Sequence, residues 1–129
     1  MLGIASIVID CERAAPLAKF WSLALDWPIR PYDNAEIGRL ASLGFTPETD
    51  PTVAIDSPDG SMSVFCVEVP EQKIVKNRVR LTIRVRDRGH LDELVQLGAR
   101  MLAQRDGWLV MADPEGNEFC VVDPPGGSS

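Results

Sequence analysis

The sequence predicts an α+β fold of two βαβββ modules that form a curved mixed sheet with the helices on its outer face. Three observations predict it. A turn followed by a strand occurs twice: Ser57-Pro58-Asp59-Gly60 precedes Val64-Phe65-Cys66-Val67, and Asp113-Pro114-Glu115-Gly116 precedes Glu118-Phe119-Cys120-Val121-Val122. Phe119 matches Phe65 and Cys120 matches Cys66, so the chain reads as duplicated. Each half also opens on an alternating strand followed by a helical stripe. A polar, lysine-bearing stretch, Glu71 to Asn77, lies between the halves. The expected organisation is a single domain over 1–123, with module one at 1–70, a linker at 71–77 and module two at 78–123. A flexible tail is expected over 124–129.

Taken in order, Ile4 to Asp10 alternates as a strand, with Ile7 and Ile9 on one side and Ser6, Val8 and Asp10 on the other. Arg13 to Leu25 carries Leu17, Ala18, Trp21 and Leu25 on one helical stripe, and Pro16 fits only in its first turn. Trp27 to Tyr32 reads as a short strand whose edge or start is marked by Pro28. Asn34 is read as the cap of a second short helix with Ile37, Leu40 and Ala41, stopped by Gly44. Thr52 to Ile55 and Ser63 to Val69 are strands on either side of the first turn. In the second half, Val79 to Val85 alternates. A helix with Leu91, Leu94 and Val95 inward follows, stopped by Gly98. Arg100 to Gln104, Trp108 to Met111 and Glu118 to Val122 complete the strands. The Asn34 to Gly44 segment is the main reason the first half is longer.

Composition narrows the partners. The 129 residues are 45% hydrophobic and 25% charged, as in ordinary globular domains. A formal charge of -6 and a pI near 4.7 argue against nucleic acid or an anionic membrane surface. No apolar run is long enough to span a bilayer, and no secretory leader is expected. Three dispersed cysteines make neither a disulfide framework nor a close-spaced zinc motif, which points to a reduced cytoplasmic protein.

Strand parity divides the side chains into two sets. Ile7, Ile9, Phe65, Val67, Leu81, Ile83, Phe119 and Val121 are expected to cover the helices. Each such burial is worth about 1.5–3 kcal/mol, so the faces are strongly specified. The opposite parity holds Ser6, Val8, Val64, Cys66, Glu68, Arg80, Thr82, Arg84, Glu118, Cys120 and Val122, a mixed set that a curved sheet would present as a concave cavity.

These residues resemble a known family. The opening Ile7-Val8-Ile9-Asp10-Cys11, the helix bearing Phe20-Trp21, the middle Val69-Pro70-Glu71 and Lys76-Asn77-Arg78, and the closing run from Asp113 to Val122 are similar to the glyoxalase-like branch of the vicinal oxygen chelate superfamily. That superfamily includes glyoxalase I, extradiol dioxygenases, fosfomycin-resistance enzymes and bleomycin-binding proteins. The resemblance implies the glyoxalase/bleomycin-resistance/dioxygenase fold, a homodimer, and in the enzymes a divalent metal held by His, Glu or Gln. The matching positions here are Ser6, Cys66, Arg80 and Cys120. None of these is such a ligand, and a guanidinium has no lone pair to give. No metal and no other cofactor is therefore expected, and His90 is read as a first-turn surface residue.

The cavity candidates are Ser6, Val8, Cys66, Glu68, Arg80, Thr82, Arg84, Trp108, Glu118 and Cys120. Arg80 with Arg84 could grip an anionic group, or pair internally with Glu118 or Glu68. Cys66 and Cys120 could be thiolate nucleophiles, or small apolar fillers like Cys11. Trp27, Tyr32 and Trp108 could wall a pocket for a flat ligand or simply pack. The resulting expectation is a domain with a degenerate metal site that binds a small organic molecule. The alternative is a glyoxalase-type lyase or isomerase, metal-dependent or metal-free.

Overall fold

A computed structural model describes residues 2–122, so the tail over 124–129 lies outside the described residues. The elements run β1 (Ser6–Cys11), α1 (Ala14–Leu25), α2 (Asn34–Ser42), β2 (Thr52–Asp56), β3 (Ser63–Glu68), β4 (Thr82–Arg84), α3 (Arg88–Gln96), β5 (Arg100–Arg105), β6 (Trp108–Ala112) and β7 (Glu118–Val122). They fall into two compact units. Among the described residues the first comprises 2–22 together with Asp26–Gln72, and the second comprises Leu23–Leu25 with 73–122. Among the described residues no helix is long and apolar enough to cross a membrane.

In the first unit the sheet order is β1-β3-β2, with β1 and β3 parallel and β2 antiparallel. The outer edge of β2 carries one further bridge, Ile29 to Ile55, flanked by Arg30 N donating to Ala54 O and Asp56 N donating to Pro28 O. The strand expected over Trp27 to Tyr32 is therefore one bridge long. Pro28 has no N–H to return to Asp56, so the ladder cannot extend on that side.

The first helix begins without a side-chain cap from Arg13. Its first amide, Ala14 N, instead donates to the Glu68 carboxylate at 3.1 Å, so a strand residue satisfies one of the helix's orphan donors. The helix ends at Asp26, which adopts φ 56 and returns its N–H to Ser22 O. Below it, Phe20 and Trp21 meet edge to face at 5.4 Å, and Leu17 is fully buried. The cap of α2 is Asp33 and not Asn34: its carboxylate accepts from Glu36 N at 2.8 Å.

The register of this unit corrects the expected faces. Ile7 stands beside Val64 and Ile55, and Ile9 beside Cys66 and Val53. Val64, Cys66, Val53 and Ile55 are all buried. Glu68 belongs to the same parity, and its bond to Ala14 identifies this face as the α1 side. Phe65 and Val67, expected against the helices, lie on the other face with Ser6, Val8, Thr52 and Ala54.

The second unit has the order β4-β7-β6-β5. This is the order of the first unit when the Ile29 bridge counts as its fourth strand. Here the expected parity holds: Ile83, Val121, Leu109, Phe119 and Met111 share the buried face, and Leu91 and Leu94 of α3 join that core. Val95, expected inward, is half exposed. The opening strand is confined to Thr82–Arg84 instead of Val79 to Val85, although Cys120 N still donates to Leu81 O.

His90 is also corrected. It is 2% exposed. Its Nδ1 accepts from Arg86 N at 3.1 Å, and its Nε2 lies 2.7 Å from Leu23 O, so the neutral ring carries its proton on Nε2 and donates it there. A histidine in a helix's first turn looks like a surface residue, but here that turn faces the end of α1. Asp87 caps α3 by accepting from His90 N. The Asp113 turn is held just as tightly: the buried carboxylate accepts from Glu115 N, Asn117 N and Asn117 Nδ2. At the end of α3, Gly98 sits at φ +113, and a Cβ there would come within 3.2 Å of Pro114, so only glycine fits the position.

Candidate functional site

The first unit contains a cavity of about 350 Å3 between α2 and the sheet face opposite α1. Thr52, Ala54 and Phe65 form its floor, the Arg30-Pro31-Tyr32 edge one side, and Asp33, Glu36 and Arg39 of the α2 region the other. Asp50, just before β2, closes the end and is 4% exposed. The chain folds this way locally for identifiable reasons. Alternation along β2 and β3 places Ala54 and Phe65 side by side. The two prolines hold Arg30 and Tyr32 in an extended edge. Asp33 starts α2 at once, so that the helix flanks the sheet.

Hydrogen bonds fix most of the polar groups. Arg30 donates from Nε and from a terminal nitrogen to the two oxygens of Asp56, at 2.9 and 2.8 Å, and its guanidinium carbon lies 5.5 Å from the centre of the Phe65 ring. Ser63 Oγ adds a third bond to Asp56 at 2.7 Å. Together the Arg30 and Ser63 donors hold the Asp56 carboxyl at about 2, below its ordinary 3.8. Arg39 and Glu36 make a second forked pair, which lowers Glu36 and raises Arg39. Tyr32 donates its hydroxyl proton to Asp50 Oδ2 at 2.7 Å, and Asp50 Oδ1 accepts from Thr52 N at 3.0 Å. Burial, that bond, and the charges of Asp50, Glu36 and Glu48 raise Tyr32 far above the ordinary phenol value.

The sequence candidates distribute as follows. Ser6 and Val8 lie on the cavity's face of the first sheet, beside Ser63 and Phe65, and both are exposed. Cys66 and Glu68 do not: Cys66 is fully buried on the α1 side, and Glu68 is committed to the helix amide. Thr82, Arg84, Trp108, Glu118 and Cys120 share the other parity of the second sheet, paired as Thr82 with Cys120 and Arg84 with Val122, on a face whose centre, Val110, Ala112 and Cys120, is also buried. Thr82, Arg84 and Trp108 are exposed there, whereas Cys120 is only 6% exposed. Arg80 precedes the strand and is exposed.

The expected pairing of Arg80 or Arg84 with Glu118 or Glu68 is replaced by another. Glu118 bonds to Asn77 N and pairs with Lys73 at 3.1 Å and with Lys76 at 3.7 Å. Burial works against its ionisation, but its own amide, Lys73 and Asn77 outweigh burial and leave it below the ordinary carboxylate range. The basic linker is thus an anchor for β7.

The donor set does not fit the divalent metal that the resemblance implies. Cys66 faces α1 while Ser6 faces away from it, and Arg80 brings a positive charge. Among the described residues no three His, Cys, Asp or Glu side chains converge on one point.

The sequence left Tyr32 open between a pocket wall and ordinary packing, did not mark Arg30 or Asp50, and put Phe65 on the helix side. No local motif marks Arg30 or Asp50, because their partners come from other segments of the chain. For Phe65 the signal misled: Val64, Phe65, Cys66 and Val67 are all apolar, so alternation alone does not choose a face.

A glyoxalase-like domain model matches residues 6–122, and the chain belongs to that family, within the vicinal oxygen chelate superfamily. Solved structures share the fold at low identity. A glyoxalase family protein from Bacillus cereus superposes with a TM-score of 0.64 at 14% identity, covering 94% of this chain and 93% of that one. A fosfomycin resistance protein, FosX, from Listeria monocytogenes gives 0.64 at 8% identity, with 96% and 91% covered. A glyoxalase/bleomycin resistance/dioxygenase family enzyme from Burkholderia phytofirmans gives 0.58 at 14%, with 93% and 97% covered. No curated protein matches this chain in sequence.

Proposed function

We propose that this glyoxalase-like domain binds a small organic molecule, without a metal, in the cavity between α2 and the first sheet. The observation that carries this reading is the cavity itself. Its volume of about 350 Å3 falls within the roughly 300–1,000 Å3 of small-molecule sites. It combines aromatic and apolar surface from Tyr32, Pro31, Ala54 and Phe65 with a few polar groups held in place by their own partners. A ligand would lie on Phe65 and be oriented by the Tyr32–Asp50 end.

The metal-free part rests on donor chemistry. The Listeria FosX structure was solved with Mn(II) and a phosphonic acid; in this chain the positions to which the resemblance assigns ligands hold a serine, two cysteines and an arginine, and the β3 residue that corresponds in register to Cys120 is Phe65, which has no donor atom. All three cysteines are buried thiols outside any disulfide, in keeping with a reducing, cytoplasmic setting. The test is a ligand-observed NMR screen of aromatic fragments against the wild type and Phe65→Ala. Hits weakened in the variant support the reading. Fragments that bind both proteins equally, or no hits at all, overturn it.

A further inference from the structure

From the way charges are matched around this cavity, we infer that its ligand is a small organic cation, an amine or amidine on an aromatic or apolar body. The inference rests on the binding reading above and adds the chemical class. The two guanidiniums that line the cavity are each already faced by a carboxylate through two of their nitrogens, Arg30 by Asp56 and Arg39 by Glu36. Four carboxylates therefore stand against two guanidiniums: among the described residues Asp33 and Asp50 accept no hydrogen bond from a cation, and Asp50 meets Arg39 only through a charge attraction that Arg39 already shares with Glu36. Asp50 is nearly enclosed, at 4% exposure, and accepts only the neutral donors Tyr32 O–H and Thr52 N–H.

A carboxylate in that setting favours a positive partner. Tyr32 points to the same class. Its proton is already given to Asp50, so to a ligand its oxygen offers lone pairs, which suit an N–H donor. Burial is the first cause of the raised Tyr32 pKa and the bond to Asp50 the second; the remaining part, from the charges of Asp50, Glu36 and Glu48, reports a negative field at that oxygen. The same field that resists a phenolate attracts an ammonium. The part of the Phe65 ring that lines the cavity beside Arg30 provides a surface for an apolar or aromatic body.

Three indoles that differ only in side-chain charge separate the possibilities: tryptamine, tryptophol and indole-3-acetate, titrated into the isotope-labelled full chain and followed by amide shifts. Tryptamine should bind about fivefold more tightly than tryptophol, the worth of one partly exposed charge pair, with indole-3-acetate weaker still. Asp50→Asn should bring the tryptamine-to-tryptophol ratio towards one. Should that variant not fold, Asp33→Asn, which preserves a helix cap, should lower the ratio in the same direction. Equal affinities, tightest binding of indole-3-acetate, or a ratio that survives both substitutions would overturn the cation assignment while leaving the cavity as a binding site. Failure of all three indoles to shift the cavity amides would remove the assignment and the binding reading together.

Discussion

The hairpin between β2 and β3 and the hairpin between β6 and β7 carry nearly the same turn, yet the Phe-Cys pairs that follow them stand with opposite members inward. In the first, Ser57 N donates to Met62 O; in the second, Asp113 N donates to Asn117 O. One extra residue in the first loop is enough, because a shift of one along a strand moves every side chain to the other side. The residue at the head of each closing strand is Ser63 in one and Glu118 in the other, each opposite the last residue of the strand before it. From there Val64 corresponds to Phe119, Phe65 to Cys120 and Cys66 to Val121. The Phe-Cys pair that looks repeated has its Phe in the core of one unit and in the cavity of the other. A duplicated fold can therefore keep its architecture while exchanging which residue types face the site.

The sharpest way to break this comparison is to truncate the two phenylalanines. Phe119→Ala should cost about 3–5 kcal/mol in denaturant unfolding, and Phe65→Ala about 1 kcal/mol, since only Phe119 is enclosed. Equal losses would mean that the faces are not exchanged. The second unit also depends on a buried imidazole that has no counterpart in the first. His90→Ala should cost about 1–3 kcal/mol by stranding Arg86 N and Leu23 O, measured the same way.

The helix starts differ as well. α3 is capped by its own Asp87, whereas α1 borrows Glu68 from β3. Glu68→Ala should therefore lower stability by about 1 kcal/mol, and the protection of the Ala14 amide in hydrogen exchange should fall with it.

The smallest expected effect belongs to Asp56. Its carboxyl is depressed in the folded state from 3.8 to about 2, so its contribution is present above the unfolded value and is lost as pH falls through about 2. With Arg30 half exposed, that contribution is about 1 kcal/mol or less. Arg30→Ala should flatten stability against pH between 4 and 2, read by thermal melts.

Much of the fold was legible because its signals are local. Alternation, the two Pro-Gly turns and the helix stripes gave the elements and the strand–helix–three-strand order of both halves. The parity of β7 was legible as well, since Phe119 and Val121 alternate with Glu118. The parity of β3 was not. The turn glycines Gly60 and Gly116 stand 56 positions apart and the Phe-Cys pairs 54, both even, whereas the true equivalents Ser63 and Glu118 stand 55 apart. Only the closing hydrogen bonds of the hairpins reveal the odd offset. The site was legible in pieces. Tyr32 was foreseeable from its place near a strand end. Asp50 and the Arg30–Asp56 pair depend on segments brought together by β2, and no spacing along the chain announces them.

The most direct measurement is an amide-shift map of tryptophol binding, a neutral probe whose location does not depend on charge preference. Saturable shifts at Tyr32, Thr52, Ala54 and Phe65 are the predicted result. Shifts centred on Thr82, Arg84 and Cys120, with the α2 cavity silent, would contradict it.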